Sequence, residues 1–244
     1  MPLLFPYFSG RKVRALKRIL KIVALGVCIG LVSAVLQTAL HVDRDVFLHW
    51  YWIVAVAVVA GAVLINVAYN IFYQQKMKKL IPLLEARKPR EYIAGVDRLL
   101  ATAKGQSLRK ILTMNLAAGY IDLKQFDKAT ELLEEISDKG LTGSAAKTVY
   151  RLNLCTCYFQ SGQGEKALEL YNDSQKIFEP QRKGKLYGAN VAILDMLAAI
   201  QSKQYSQAGQ LLDKARQTWD TPRFQEAFQE IESTLAEIKK EKNP

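Results

Sequence analysis

His41 and His49 are the only histidines of this chain, and with Asp43 and Asp45 they form the one cluster whose donors suit a divalent metal. A metal centre also needs neighbours that orient each ligand. The connecting stretch from His41 to His49 supplies none, so no metal is expected there. Gly162-Gln163-Gly164-Glu165-Lys166-Ala167 matches the glycine-rich dinucleotide fingerprint in its letters. That fingerprint cradles a pyrophosphate only when a strand runs into it; here a helical pattern precedes it, and the stretch reads as a turn between two helices. Cys155 and Cys157 are two apart on a helical pattern, so their side chains diverge by about 200° and read as small buried thiols. Three cysteines make no disulfide framework and fit a reducing compartment. P-loop, metalloprotease and nucleophile-elbow motifs are absent. The sequence therefore points to no enzyme and no cofactor.

Recognition and location are what the remaining elements can supply. Half of the 244 residues are hydrophobic, but they are concentrated before Tyr73. Residues 19–40 read ILKIVALGVCIGLVSAVLQTAL, and residues 50–72 read WYWIVAVAVVAGAVLINVAYNIF. Each is about the twenty residues a helix needs to cross ~30 Å of hydrocarbon, and the short loop between them imposes a helical hairpin over 19–73. Arg11, Lys12, Arg14, Lys17, Arg18 and Lys21 stand before or at the start of the first run, and Lys76, Lys78 and Lys79 follow the second. The loop offers only Arg44, beside two aspartates. The positive-inside rule then places both ends in the cytoplasm of a cell that is most simply bacterial, with the hairpin in its inner (plasma) membrane. Leu25-Gly26-Val27-Cys28 has the outline of a lipoprotein acylation site, but Val27 is too large before the cysteine and the apolar run continues.

Small residues recur within both runs: Gly26, Gly30 and Ala34 in the first, Ala57 and Gly61 in the second. Such spacing lets membrane helices approach closely, either within the hairpin or between two copies of the chain as a homodimer. In the basic segment 1–18 and just beyond it, Arg11, Arg14, Arg18 and Lys21 share one helical face, which suits anionic headgroups. The net charge of +11 is concentrated near these runs, so lipid and topology explain it, and nucleic acid is not expected as a partner.

After Met77 the chain becomes polar and helix-friendly, and it repeats. Leu116 and Tyr120 are four apart, with Ala129 and Leu133 following. Leu154 and Tyr158 have the same spacing, with Ala167 and Tyr171. A third copy has Met196, Ala199, Ala208 and Leu212, and a weak first one Leu83, Ala86, Gly95 and Leu99. Gly95, Ala129, Ala167 and Ala208 thus recur at intervals of 34, 38 and 41 residues. Lys124-Gln125-Phe126, Gly162-Gln163-Gly164 and Lys203-Gln204-Tyr205 would be the turns. Over residues 77–220 this pattern resembles the tetratricopeptide repeat, with its Leu-Gly-x-x-Tyr on one helix and Ala-x-x-x-Phe on the next. Ala117 and Cys155 stand in for the glycine, and the closing proline is missing. The expected fold is all-α: a transmembrane hairpin, then an α-solenoid entered through a helix bent at Pro82. A capping helix over 221–240 would follow, with Thr221 and Pro222 at its start and Phe224, Phe228, Ile231, Leu235 and Ile238 along one stripe.

The resemblance implies that the first helix of each pair lines a concave groove. It would comprise Ile111, Met114, Asn115, Ala118 and Ile121 from one repeat, then Leu152, Asn153, Thr156 and Phe159, then Ile193, Leu197 and Ile200. Such a lining is apolar and suits an amphipathic helix or hydrophobic segment; tight curling would instead make these residues core. The expected function is a membrane-anchored adaptor or scaffold for a protein or peptide partner. The alternative is a structural subunit of a membrane complex, assembled through the hairpin.

Overall fold

The computed structural model describes residues 43–137, 141 and 143–242, together with residues 30, 32, 33, 35, 38 and 39, all six of them helical. The described residues contain helices and no strand, as the composition requires. The basic segment 1–18, most of the first apolar run, Gly26, Cys28, Ala34 and His41 lie outside them. The chain divides into two compact units, Met1–Tyr69 and Asn70–Pro244.

The first long helix, α1, is Arg44–Glu85. It begins earlier than the sequence pattern suggests, with the Phe47 amide donating to the Asp43 carbonyl at 2.9 Å. The Arg44–His49 segment is thereby helix rather than loop. Among the described residues this is the one helix long and apolar enough to cross a membrane. Trp50, Trp52, Val54, Val58 and Ile65 are all exposed, so no protein core explains their type. Pro82 lies within the helix, which continues to Glu85.

In the second unit the chain folds as successive helices: α2 (Pro89–Thr102), α3 (Gln106–Asp122), α4 (Phe126–Ile136), α5 (Ser144–Gln160), α6 (Gly164–Asp173), the single turn α7 (Gln175–Phe178), α8 (Gly188–Gln201), α9 (Tyr205–Thr218) and α10 (Pro222–Lys242). A 3₁₀ turn, Glu179–Gln181, follows α7. Consecutive pairs α3–α4, α5–α6 and α8–α9 pack together. The first helix of a pair also packs on the second helix of the pair before it, as α3 does on α2 and α5 on α4. First helices touch one another as well, α3 with α5 and α5 with α8, while α10 packs on both α8 and α9.

One turn recurs four times. Arg87, Lys124, Gly162 and Lys203 have φ of 56°, 56°, 73° and 60°. At each, the left-handed residue donates to a carbonyl three back and the next residue to one five back: Lys124 to Ile121 at 2.8 Å, Gln125 to Tyr120 at 2.9 Å. The same pair of bonds closes the turns at Arg87, Gly162 and Lys203. This αL closure satisfies the last carbonyls of one helix. The following residue, Lys88, Gln125, Gln163 or Gln204, then leaves at ψ between 50° and 66° to start the next helix. The turns are 37, 38 and 41 residues apart.

This backbone register corrects the first repeat. Ala129, Ala167 and Ala208 each lie three residues after the first residue of their helix, where Tyr92, not Gly95, stands in α2. A Cβ built on Gly119 would come within 2.7 Å of Ile93 Cγ1 and 2.9 Å of Tyr92 Cδ1. The small residue at this crossing therefore belongs to α3, and the large one to α2. Gly95 instead faces Leu80 of α1, whose Cδ2 would stand 2.5 Å from a Cβ there.

The third pair departs from the others through an inserted segment. Phe178 is fully buried with Leu152, Cys155, Val191 and Leu194. Arg182 holds the segment down, pairing with Asp195 of α8 and donating to Gln175 Oε1 at 2.6 Å and Glu179 Oε2 at 2.8 Å. Tyr171 donates to the other oxygen of Asp195 at 2.6 Å.

Candidate functional site

The residues expected to line a groove lie on α3, α5 and α8, and the structure divides them. Met114 and Leu152 are buried, at 3% and 4% exposure. Met114 and the half-buried Ile121 pack with Ala129, Leu133, Tyr150 and Cys157 between α3, α4 and α5. Phe159 and Leu197 pack around Phe178, and Ile193, Leu197 and Ile200 around Phe228 and Ile231 of α10. The α8 part of the expected lining is thus half-buried and packed against α10.

Five candidates remain outside these clusters: Ile111, Asn115 and Ala118 on α3, and Asn153 and Thr156 on α5. Ile111 is 41% exposed, and the other four are half-buried. Counting back five residues from Tyr120 and Tyr158, the carbonyl acceptors of their turns, places Asn115 and Asn153 at one register position in successive pairs. Asn115 is occupied internally: its amide donates to the Ile111 carbonyl at 2.8 Å, and its oxygen accepts from the Tyr92 hydroxyl at 3.3 Å. Burial raises that tyrosine to about 12, which keeps it a neutral donor. The Asn153 side-chain nitrogen is buried with no hydrogen-bond partner among the described residues. Thr156 bonds back to the Leu152 carbonyl at 2.9 Å. These five residues form a partly apolar set with two amides, Asn115 and Asn153, at one register position.

In the membrane-helix set, no described atom lies within 4 Å of a Cβ built on Gly30 or Gly61, and Ala57 stands one turn before Gly61 in α1. The remaining chemistry-bearing residues take structural places. Gly162 is the left-handed residue of its turn and Gly164 opens α6, with a helix before them. His49 lies inside α1, and no group of three metal-type ligands occurs among the described residues. A shallow depression of about 460 Å³ beside the second turn is lined by Lys124, Gln125, Lys128, Glu131 and Gln160, a mixture of both charge signs.

Cys155 and Cys157 are fully buried and point into different cores on opposite sides of α5, as their spacing implies. Burial pushes both thiols up to about 12, against a weaker lowering by Arg151 for Cys155 and by a bond to Thr130 for Cys157. Neither is a thiolate near neutrality. In native protein at pH 8, both are expected to resist iodoacetamide at least about tenfold longer than an exposed cysteine, and to react on unfolding. Peptide-resolved mass spectrometry reads this directly, and rapid native alkylation at either position would refute the assigned burial.

Sequence reasoning missed Tyr92, Phe178, the Arg182–Asp195 pair, and the charges that link α10 to the first two turns. No protein-family model, no curated protein and no solved structure matches this chain.

Proposed function

We propose that the protein is a membrane-anchored adaptor. In this reading a two-pass transmembrane hairpin fixes it in a plasma membrane with both ends in the cytoplasm. A tetratricopeptide-like α-solenoid then captures a protein or peptide partner by noncovalent recognition, without cofactor or catalysis. The observation that carries the reading is the fourfold recurrence of one αL turn, at Arg87, Lys124, Gly162 and Lys203. Helices pack in the neighbour-to-neighbour order such repeats adopt, and they follow an exposed apolar helix, α1. Anchoring confines the domain to the bilayer surface and raises its effective concentration toward partners there. The basic residues that flank the two apolar runs, and so assign the cytoplasmic side, are the support for orientation.

The second reading is a structural subunit joined to other membrane chains through its apolar helices. Its support is the small-residue spacing of Ala57 and Gly61 on the exposed apolar helix α1, which suits close approach of another membrane helix.

In-cell photocrosslinking separates the two. A crosslinker at Asn115 or Thr156 is expected to give a discrete protein adduct that one at exposed Glu131 does not. Adducts confined to position 61 would favour the structural subunit, and the absence of any specific adduct at positions 115 and 156 would displace the adaptor.

A further inference from the structure

The helix α10 has two differently engaged faces. Phe228 and Ile231, at 0% and 4% exposure, are buried with Met196, Leu212 and Ala215 of α8 and α9. Glu226 and Glu230 are one helical turn apart, on a flank that meets quite different parts of the chain. Glu226 pairs with Arg87 at 2.8 Å and with Lys124 at 3.1 Å, and Lys124 pairs also with Glu230. The side chains in these pairs are roughly half exposed. Arg87 and Lys124 are the left-handed residues of the first and second turns, and they stand 139 and 106 residues before their partners.

Neighbour-to-neighbour packing requires none of these contacts. The apolar face already docks α10 on the last helix pair, and the carboxylates add a connection from that pair to the start of the unit. Lys124 is held above the usual lysine range by its bonds to Glu230 and Glu226. Glu226 is held below the usual carboxylate range by its bonds to Lys124 and Arg87. Single exposed pairs contribute little, but here two carboxylates share two cations, and such networks are stronger than isolated pairs.

We propose that Glu226 and Glu230 make α10 an electrostatic clasp, which holds the Arg87 and Lys124 turns to the α8–α9 pair and opens as ionic strength rises. Solvent reaches all four groups, so added salt screens them: the Debye length falls from about 10 Å at 0.1 M to about 3 Å at 1 M. Phe228 and Ile231 are insensitive to that screening. Opening therefore parts the turns from α10 and leaves α10 seated on α8 and α9.

The test is a distance measurement by double electron–electron resonance on the full chain in uncharged detergent, with spin labels at exposed Asp97 of α2 and Gln229 of α10 and with Cys28→Ser. One narrow distance is expected at about 0.05 M NaCl, and its population should fall at least about threefold by about 0.5 M. E226K/E230K should be open at low salt, and adding R87E/K124E should restore the closed distance. Helix content and alkylation of Cys155 and Cys157 report whether each variant folds. Should the reversed variants fail to fold, E226Q/E230Q is expected to be open at every salt concentration. A closed distance in E226Q/E230Q, a salt-independent wild-type distance, or a folded fourfold variant that stays open would each overturn the clasp.

Discussion

Gly119→Val is expected to lower the thermal midpoint of the helical domain by roughly 6–10 °C, corresponding to about 3 kcal/mol of overpacking. The cause lies in the crossing of α2 and α3. Even the first added carbon would stand 2.7 Å from Ile93 and 2.9 Å from the Tyr92 ring. Both neighbours are buried, at 8% and 1% exposure, and the ring is held by its bond to Asn115. Neither can swing away as a surface lysine would. Replacing glycine in a helix ordinarily gains up to ~1 kcal/mol in backbone entropy, so overlap must exceed that gain for the sign to be destabilising. Gly209 supplies the control. It lies inside α9 with nothing within 4 Å of a built Cβ, so Gly209→Ala is expected to raise stability by about 0.5–1 kcal/mol. Circular dichroism melts of the two variants decide the matter. Equal or higher stability in Gly119→Val would mean that α2 and α3 do not cross as described.

Phe228→Ala removes a ring buried on every side, and a loss of about 3–5 kcal/mol is expected from lost transfer energy and the cavity left behind. Its pattern matters more than its size. Phe228 packs with Met196, Leu212, Ala215 and Ile231 at the α8–α9–α10 junction, far in sequence from the α3–α5 core around Leu133 and Cys157. If α10 is a closing element of the whole helical unit, the substitution should shorten amide-exchange protection in α8 and α9 and should also speed native alkylation of Cys155. If α10 is a detachable appendage, exchange should rise in α10 alone and the thiols should stay protected. The second outcome would sink the capping role.

Much of this fold was legible because its repeats depend on backbone turns and on small residues at crossings, and both leave marks in sequence. Lys124-Gln125, Gly162-Gln163 and Lys203-Gln204 stand where the chain turns, and the alternating helices and the stripe from Phe224 to Leu235 follow from apolar spacing alone. The first repeat misled because size had moved from one helix to its partner. Tyr92 against Gly119 takes the register position that Ala129 holds in α4, so small residues alone point to Gly95, three positions late. The inserted Phe178 was hidden because a single aromatic in a polar stretch has no period to reveal it. The lining face was legible as a face, but not its burial: periodicity names the side that α8 presents and says nothing of whether α10 covers it. Least visible were Arg87, Lys124, Glu226 and Glu230. Charges on solvated surfaces look alike in sequence, and only folding over more than a hundred residues brings these four together.

Those long-range pairs impose an order of events. Contacts between adjacent helices span a few tens of residues and close small loops, whereas joining Arg87 to Glu226 closes a loop of 139 residues, for which chain entropy opposes early formation. Synthesis on the ribosome reinforces this, since Arg87 and Lys124 emerge long before either glutamate exists. During that interval the nascent pairs stand without Glu226 and Glu230 beside Arg87 and Lys124 and without Phe228 over Met196 and Leu212, so the last helix to be made supplies contacts to both the first two turns and the last helix pair.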